Sequence, residues 1–303
     1  MPKIKEEGLK HLYRPLHHFE QQAKDAMANF GKTNIHSTGD AMIDEYLGGG
    51  YGRPNGYEIL MIFGDTGVNK STLATQFIVD PARKGKSVAY FSLEDDPSDL
   101  YTRLYRQMSA SVDKFSDATE ITNQIGMNIM VAPESDGYTL EQMAAEVEAL
   151  FDTGTDIVVI DPLQFIFEAS VVEKTETEFN RQRLFMRKIN NVMKRAVVTS
   201  GTDKTLILVS HTNKGSYDNP LDNIMGSGAN KQVPTKIIQV GRNSDGTRFV
   251  RLCKSRFTEH RFGSHQVVLD KEHMMLRTLA GTEPGWKDQV REAWARSERN
   301  GRR

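Results

Sequence analysis

The sequence predicts an α/β fold: a mostly parallel central sheet flanked by helices, with an antiparallel C-terminal extension. Three observations predict it. Runs of consecutive apolar residues at 57–63, 87–92, 156–161 and 205–210 recur along the chain, the pattern of strands buried on both faces. Helical stretches lie between them, so each strand can run parallel to the last through a crossover helix. After residue 235 the pattern changes. Residues 237–241 and 247–252 flank the turn Asn243-Ser244-Asp245-Gly246, and 265–269 follow, which reads as hairpin strands.

Taken in order, residues 1–33 stand apart. Phe19, Ala23, Ala26, Met27 and Phe30 recur at helical spacing beside Glu20, Gln21, Lys24 and Asp25, and Gly31 offers a stop. This helix has an apolar stripe whose partner is either its own domain or a neighbouring subunit. The first strand, 57–63, leads into Gly64-Asp65-Thr66-Gly67-Val68-Asn69-Lys70-Ser71, and an amphipathic helix starts at Ser71. Strand, glycine loop and helix start together form an anion site, because N–H groups and the positive helix end face one point. The pattern is that of a phosphate-binding P-loop with one departure: Asn69 stands where the second glycine belongs. Asn tolerates left-handed backbone better than any residue but glycine, so the loop can still form. In this arrangement Lys70 reaches the β/γ-phosphates and the Ser71 hydroxyl holds Mg²⁺.

The later strands end in polar residues. Glu94 follows 87–92, Asp161 closes 156–161, and His211 follows 205–210. Ligands of parallel sheets bind at the carboxyl ends of strands, so all three can converge on the P-loop. Asp161 is placed as the carboxylate that organises Mg²⁺, and Glu94 as general base for an attacking water. Asp95 and Asp96 read as helix N-terminal caps instead. His211 is placed to report the γ-phosphate. Helices are expected over 140–151 and 181–198, the second with Leu184, Phe185, Ile189, Val192, Met193 and Ala196 on one face. Lys254-Ser255-Arg256 reads either as an exposed basic turn or as an arginine finger completing a neighbour's site. The tail from 282, with Trp286 and Trp294, is either a docking helix or disordered.

Composition narrows the class. At 303 residues the chain suits one large α/β domain or two modest ones, and a net charge of −1 gives no global pull toward nucleic acid or membrane. No apolar run approaches the roughly 20 residues of a membrane span, and the N-terminus lacks a signal-peptide core, so a cytoplasmic location is expected. One cysteine, Cys253, excludes an internal disulfide and a Cys-rich zinc site.

Taken together, these segments resemble the ATPase domain of hexameric RecA-fold replicative DNA helicases, the class of DnaB, phage primase-helicases and Twinkle. The resemblance spans roughly 38–276. Thr38-Gly39 through Leu47-Gly48-Gly49-Gly50 resembles the helix and glycine run before the P-loop strand. Phe91-Ser92-Leu93-Glu94 resembles the catalytic-glutamate segment, Val159 to Gln164 the Walker B strand, and Val209-Ser210-His211 the γ-phosphate sensor. Gly226-Ser227-Gly228-Ala229-Asn230-Lys231-Gln232 and Lys254-Ser255-Arg256-Phe257-Thr258 resemble two further signatures.

The resemblance implies a RecA-like core (34–281), an N-terminal docking segment (1–33) and a C-terminal tail (282–303). It implies ATP or another NTP or dNTP with Mg²⁺, contacted by Gly64 through Thr72, with Gln232 and Lys254 also in the nucleotide site. It implies a homo-oligomeric, hexameric ring with nucleotide between subunits, Arg256 acting in trans, and single-stranded DNA threaded through segments 165–180 and 214–224, where Lys174 and Lys214 are the cations. No primase domain is expected, so primase and DNA polymerase would be separate partners. Translocation would run 5′→3′. Two other readings stay open: a RecA-like recombinase or repair ATPase forming filaments, and a nucleotide-dependent DNA-binding or loading protein with hydrolysis impaired by Asn69.

Overall fold

A computed structural model describes residue 24 and residues 36–110, 118–132, 138–169, 177–213, 219–256 and 264–278. Along the chain lie α1 (Ala41–Tyr46), β1 (Tyr57–Gly64), α2 (Lys70–Arg83), β2 (Val88–Ser92), α3 (Pro97–Ser109), α4 (Ala118–Asn128), β3 (Ile129–Val131), α5 (Leu140–Asp152), β4 (Ile157–Asp161), α6 (Leu163–Ala169), α7 (Glu178–Ser200), β5 (Lys204–His211), a 3₁₀ turn (Pro220–Asn223), α8 (Ala229–Gln232), β6 (Lys236–Arg242), β7 (Arg248–Ser255), β8 (His265–Asp270) and β9 (Met275–Thr278).

These strands make one sheet in the order β3-β2-β4-β5-β1-β6-β7-β8-β9. The pairs from β3 to β6 are parallel and those from β6 to β9 antiparallel. The antiparallel extension therefore begins one strand later than the sequence suggests, because β6 runs parallel to β1, with Leu60 opposite Lys236. The expected turn closes the β6–β7 hairpin, where the Asn243 N–H donates to Thr247 O at 2.8 Å. Strands β3 and β9 have no counterpart in the sequence reading, since runs this short carry too little periodicity.

Alternate residues of each central strand enter opposite cores. Leu60, Ile62, Val88, Tyr90, Ile157, Val159, Ile207 and Val209 pack with α1 to α4. Ile59, Met61, Phe63, Ala89, Phe91, Val158, Ile160, Leu206 and Leu208 pack with α5 to α7. Full burial of a large apolar side chain contributes about 1.5–3 kcal/mol. On α7, Phe185, Ile189, Val192, Met193 and Ala196 are buried as expected, together with Met186. Leu184 is not; it is half exposed on the outer side of the helix.

The α2 helix carries Pro81 in its last turns. Proline has no N–H, so the carbonyl four residues earlier, that of Phe77, lacks its helical donor. The Tyr51 hydroxyl donates to it instead, and the Tyr51 ring stacks on Phe77 at 4.9 Å. Among the described residues no helix is long and apolar enough to cross a membrane. The expected helix at 19–30 lies outside them except for Lys24, which is helical and exposed. The tail after 281 lies outside them entirely.

Candidate nucleotide site

The loop after β1 has the backbone a phosphate cradle needs. Gly64 closes the strand, and a Cβ there would lie 2.1 Å from Val240 O, so only glycine fits. Gly67 has φ +77° and Asn69 has φ +79°, ψ +37°. Asn69 thus takes the left-handed conformation expected of the glycine it replaces, and α2 starts at Lys70. Its side chain makes no cap to the helix, and its Oδ1 is buried without a hydrogen-bond partner. Val68 and Thr72 are buried, so they offer a ligand chiefly backbone. Asp65 and Thr66 are exposed, and Asp65 Oδ1 accepts a hydrogen bond from the Thr212 hydroxyl.

Lys70 folds back over this loop. Its Nζ donates to Asp65 O at 2.8 Å and lies 3.5 Å from His211 Nδ1. Burial lowers its pKa, while the carboxylates of Asp161, Glu94 and Asp65 oppose that shift. On its other side, His211 Nε2 lies 4.0 Å from Glu94 Oε2. The sheet order explains this convergence: β5 lies between β1 and β4, so the end of β5 sits between the P-loop and the carboxylates.

Asp161, at the end of β4, is buried and accepts hydrogen bonds from Tyr90 Oη at 2.6 Å and from the Ser71 hydroxyl. Burial raises its pKa, and these two bonds pull the other way. Glu94 follows β2 with its side chain half exposed. Its neighbours divide. Asp96 caps α3, accepting from Ser98 N at 2.7 Å. Asp95 does not cap; it pairs with Arg103 at 2.7 Å, because the first turn of α3 has room for one side-chain cap and Arg103 lies two turns along.

Lys70, Ser71, Glu94, Asp161 and His211 are therefore brought together. Gln232, Lys254 and Arg256 are brought together elsewhere. Lys254 Nζ donates to Lys231 O and Gln232 O at 2.7 and 2.9 Å, and Arg256 Nη2 also donates to Gln232 O. Burial and the neighbouring Arg256 lower the Lys254 pKa to about 8. This group is anchored at the amino end of β1. The Arg256 N–H donates to Thr235 O, and Thr235 N–H to Ile59 O, at 2.9 and 2.8 Å. Five strand residues, about 16 Å at the strand rise, separate Ile59 from Gly64.

Residues with no obvious sequence signal also shape the site. Tyr90 looks like an ordinary core residue in sequence. Gln164 donates to Ser210 Oγ at 2.8 Å and accepts from His211 N at 3.2 Å. Arg242 donates to Gly67 O at 3.5 Å. Segments 170–176 and 214–218, with Lys174 and Lys214, and residues Phe257 and Thr258 lie outside the described residues. Among the described residues, no group of three or more His, Cys, Asp or Glu could hold a metal ion. One buried carboxylate bonded to one hydroxyl is a hard oxygen pair instead. It suits Mg²⁺, which takes few protein ligands and completes its shell with waters and phosphate oxygens. The left-handed loop, the helix start and the buried Lys70 fit a nucleotide's phosphates.

A family model for the AAA domain matches residues 53–217. No curated protein matches the sequence. Among solved structures, the ATPase domain of a DnaB-like helicase is similar with a TM-score of 0.64 at 17% identity, over 88% of this chain and 99% of that one. The KaiC-like protein PH0186 from the hyperthermophilic archaeon Pyrococcus horikoshii OT3 is similar with a TM-score of 0.56 at 19% identity, over 79% of this chain and 97% of that one. At these identities the likeness is one of fold, the RecA-like ATPase fold expected from the strand order and motifs. Since the AAA model covers more than half of the sequence, the chain belongs to the AAA domain family.

Proposed function

We propose that the protein is a ring-forming, NTP-dependent replicative DNA helicase that moves 5′→3′ on single-stranded DNA. The observation that carries this is the separation of Arg256 from Lys70. They sit at opposite ends of β1, so within one chain the finger cannot reach the phosphates. Head-to-tail contact between copies brings one copy's Arg256 group to the next copy's P-loop, and contacts of that kind close into rings or open into spirals.

In this reading the P-loop backbone and Lys70 hold the β- and γ-phosphates of ATP or another NTP or dNTP. Ser71 and Asp161 hold Mg²⁺, which when bound neutralises charge on the phosphate oxygens. Glu94 accepts a proton from the attacking water. His211 senses the γ-phosphate, and its backbone passes the change on. Its N–H is held by Gln164, ahead of segment 170–176, and its carbonyl accepts from Met225 N at 3.1 Å, just after segment 214–218. These two segments would grip the strand. Residues 1–33 would dock on the adjacent copy, 34–281 form the motor and 282–303 the tail. Primase and polymerase would be separate partners in the cytoplasm.

The test mixes two variants, Lys70→Ala and Arg256→Ala, each inactive alone in DNA-stimulated hydrolysis and strand displacement. A seam with Lys70 from one chain and Arg256 from the other is intact, so the mixture recovers hydrolysis. A mixture as inactive as its components rules out the trans arrangement. Electron microscopy with a nonhydrolysable nucleotide and single-stranded DNA separates a closed ring from a recombinase-like filament.

A further inference from the structure

The geometry points to Tyr90 as a positioning residue that aims the Asp161 carboxylate at the divalent cation. This inference rests on the reading of Asp161 given above. Tyr90 is buried in β2, in the same core as Val88, whose side chain is wholly apolar. A phenylalanine would fill that core equally well. Burying a phenol hydroxyl without a partner costs about 1–3 kcal/mol, so its presence there requires an acceptor. The acceptor is Asp161 Oδ2 at 2.6 Å, on a strand 71 positions away.

The register makes this contact specific. Ser92 lies opposite Asp161 and Tyr90 opposite Val159, so Tyr90 reaches Asp161 diagonally along one face of the sheet, from the core side. The Ser71 hydroxyl bonds the same carboxylate from the P-loop side. A carboxylate pinned by donors on two sides cannot swing about its χ2 torsion. Tyr90 fills acceptor positions on Oδ2 that face the core, and the remaining lone pairs are left toward Ser71 and the phosphate cradle. Outer donors of this kind set ligand orientation in metal sites, and losing one typically weakens metal affinity about 10–100-fold. Tyr90 touches neither nucleotide nor water in this scheme; its effect passes through Asp161.

The experiment measures Mn²⁺ binding to the full chain with a nonhydrolysable nucleotide, from the loss of the free-Mn²⁺ electron paramagnetic resonance signal. Fluorescent-ADP affinity in EDTA is measured in parallel. Two variants remove the hydroxyl with different shapes, Tyr90→Phe and Tyr90→Ile, so the result does not hang on one substitution folding. Both are expected to weaken Mn²⁺ binding about tenfold, with metal-free nucleotide affinity within about twofold of wild type. Combining Tyr90→Phe with Asp161→Asn is expected to add nothing to Asp161→Asn alone. If the Tyr90 variants melt earlier but bind Mn²⁺ as wild type does, Tyr90 only packs and the inference is overturned. If Asp161→Asn itself leaves Mn²⁺ binding unchanged, the metal assignment of Asp161 falls, and the role of Tyr90 with it.

Discussion

Lys70 Nζ lies 3.5 Å from Nδ1 of His211, a contact between residues 141 positions apart. A lysine ammonium has only donors, so His211 Nδ1 accepts and the ring proton sits on Nε2, facing Glu94. The P-loop cation, the strand-end histidine and the carboxylate thus form a line from the phosphate cradle to the position of an attacking water. A γ-phosphate entering the cradle competes with His211 and Asp65 O for the ammonium. That exchange gives His211 a direct way to register its arrival and loss.

It follows that Lys70 and His211 fail differently. Lys70→Ala is expected to abolish detectable nucleotide binding in a fluorescent-nucleotide titration. His211→Asn is expected to keep binding within a few-fold while hydrolysis falls about 10²–10³-fold, the usual cost of a lost charge-stabilising donor. Equal loss of binding in both variants contradicts the sensor role.

Glu94 is half exposed and lies 4.0 Å from His211, a long contact, so its removal should leave the fold intact. Glu94→Gln is expected to melt within a degree or two of wild type and to bind nucleotide normally. Its steady-state phosphate release should drop by about 10²–10⁴-fold, the range for losing a general base. Unchanged phosphate release moves the base elsewhere.

Asn69 bears two small penalties: left-handed backbone, and a buried Oδ1 with no partner. Asn69→Gly removes both, against the entropy glycine gains in the unfolded chain, and is expected to stabilise the protein by about 1 kcal/mol. Asn69→Ala keeps the backbone strain without the tolerance of asparagine, and should destabilise by about 1 kcal/mol. Thermal melts of the two variants should shift in opposite directions. Phosphate release by Asn69→Gly at or above the wild-type rate would also show that the natural residue restrains turnover.

His36 sets an acid limit on stability. Its ring is buried against Tyr51, neither ring nitrogen has a hydrogen-bond partner, and burial lowers its pKa from 6.5 to about 4 despite Asp203. Between those two values the unfolded chain binds a proton that the folded chain refuses. Stability therefore falls as pH drops through that window, by about 3 kcal/mol at its lower end. Denaturant unfolding of His36→Phe across the same range should show this part of the pH dependence removed; an unchanged slope assigns the acid sensitivity to other groups.

The P-loop, its helix and the strand-end positions of Glu94, Asp161 and His211 were legible in the sequence because they are local. A strand, a turn and a helix start are written in adjacent residues, and a parallel sheet places every carboxyl end on one side. The alternation of apolar runs and helices determined the α/β architecture for the same reason. Only the tertiary structure decided that β6 joins the sheet parallel to β1, that Leu184 faces outward, that Asp95 binds Arg103 and that Tyr90 holds Asp161. It also decided that Arg256 stands a strand's length from Lys70. These relationships depend on strand order and register, set by packing between segments tens to hundreds of residues apart, and no local pattern encodes which distant residue will lie opposite.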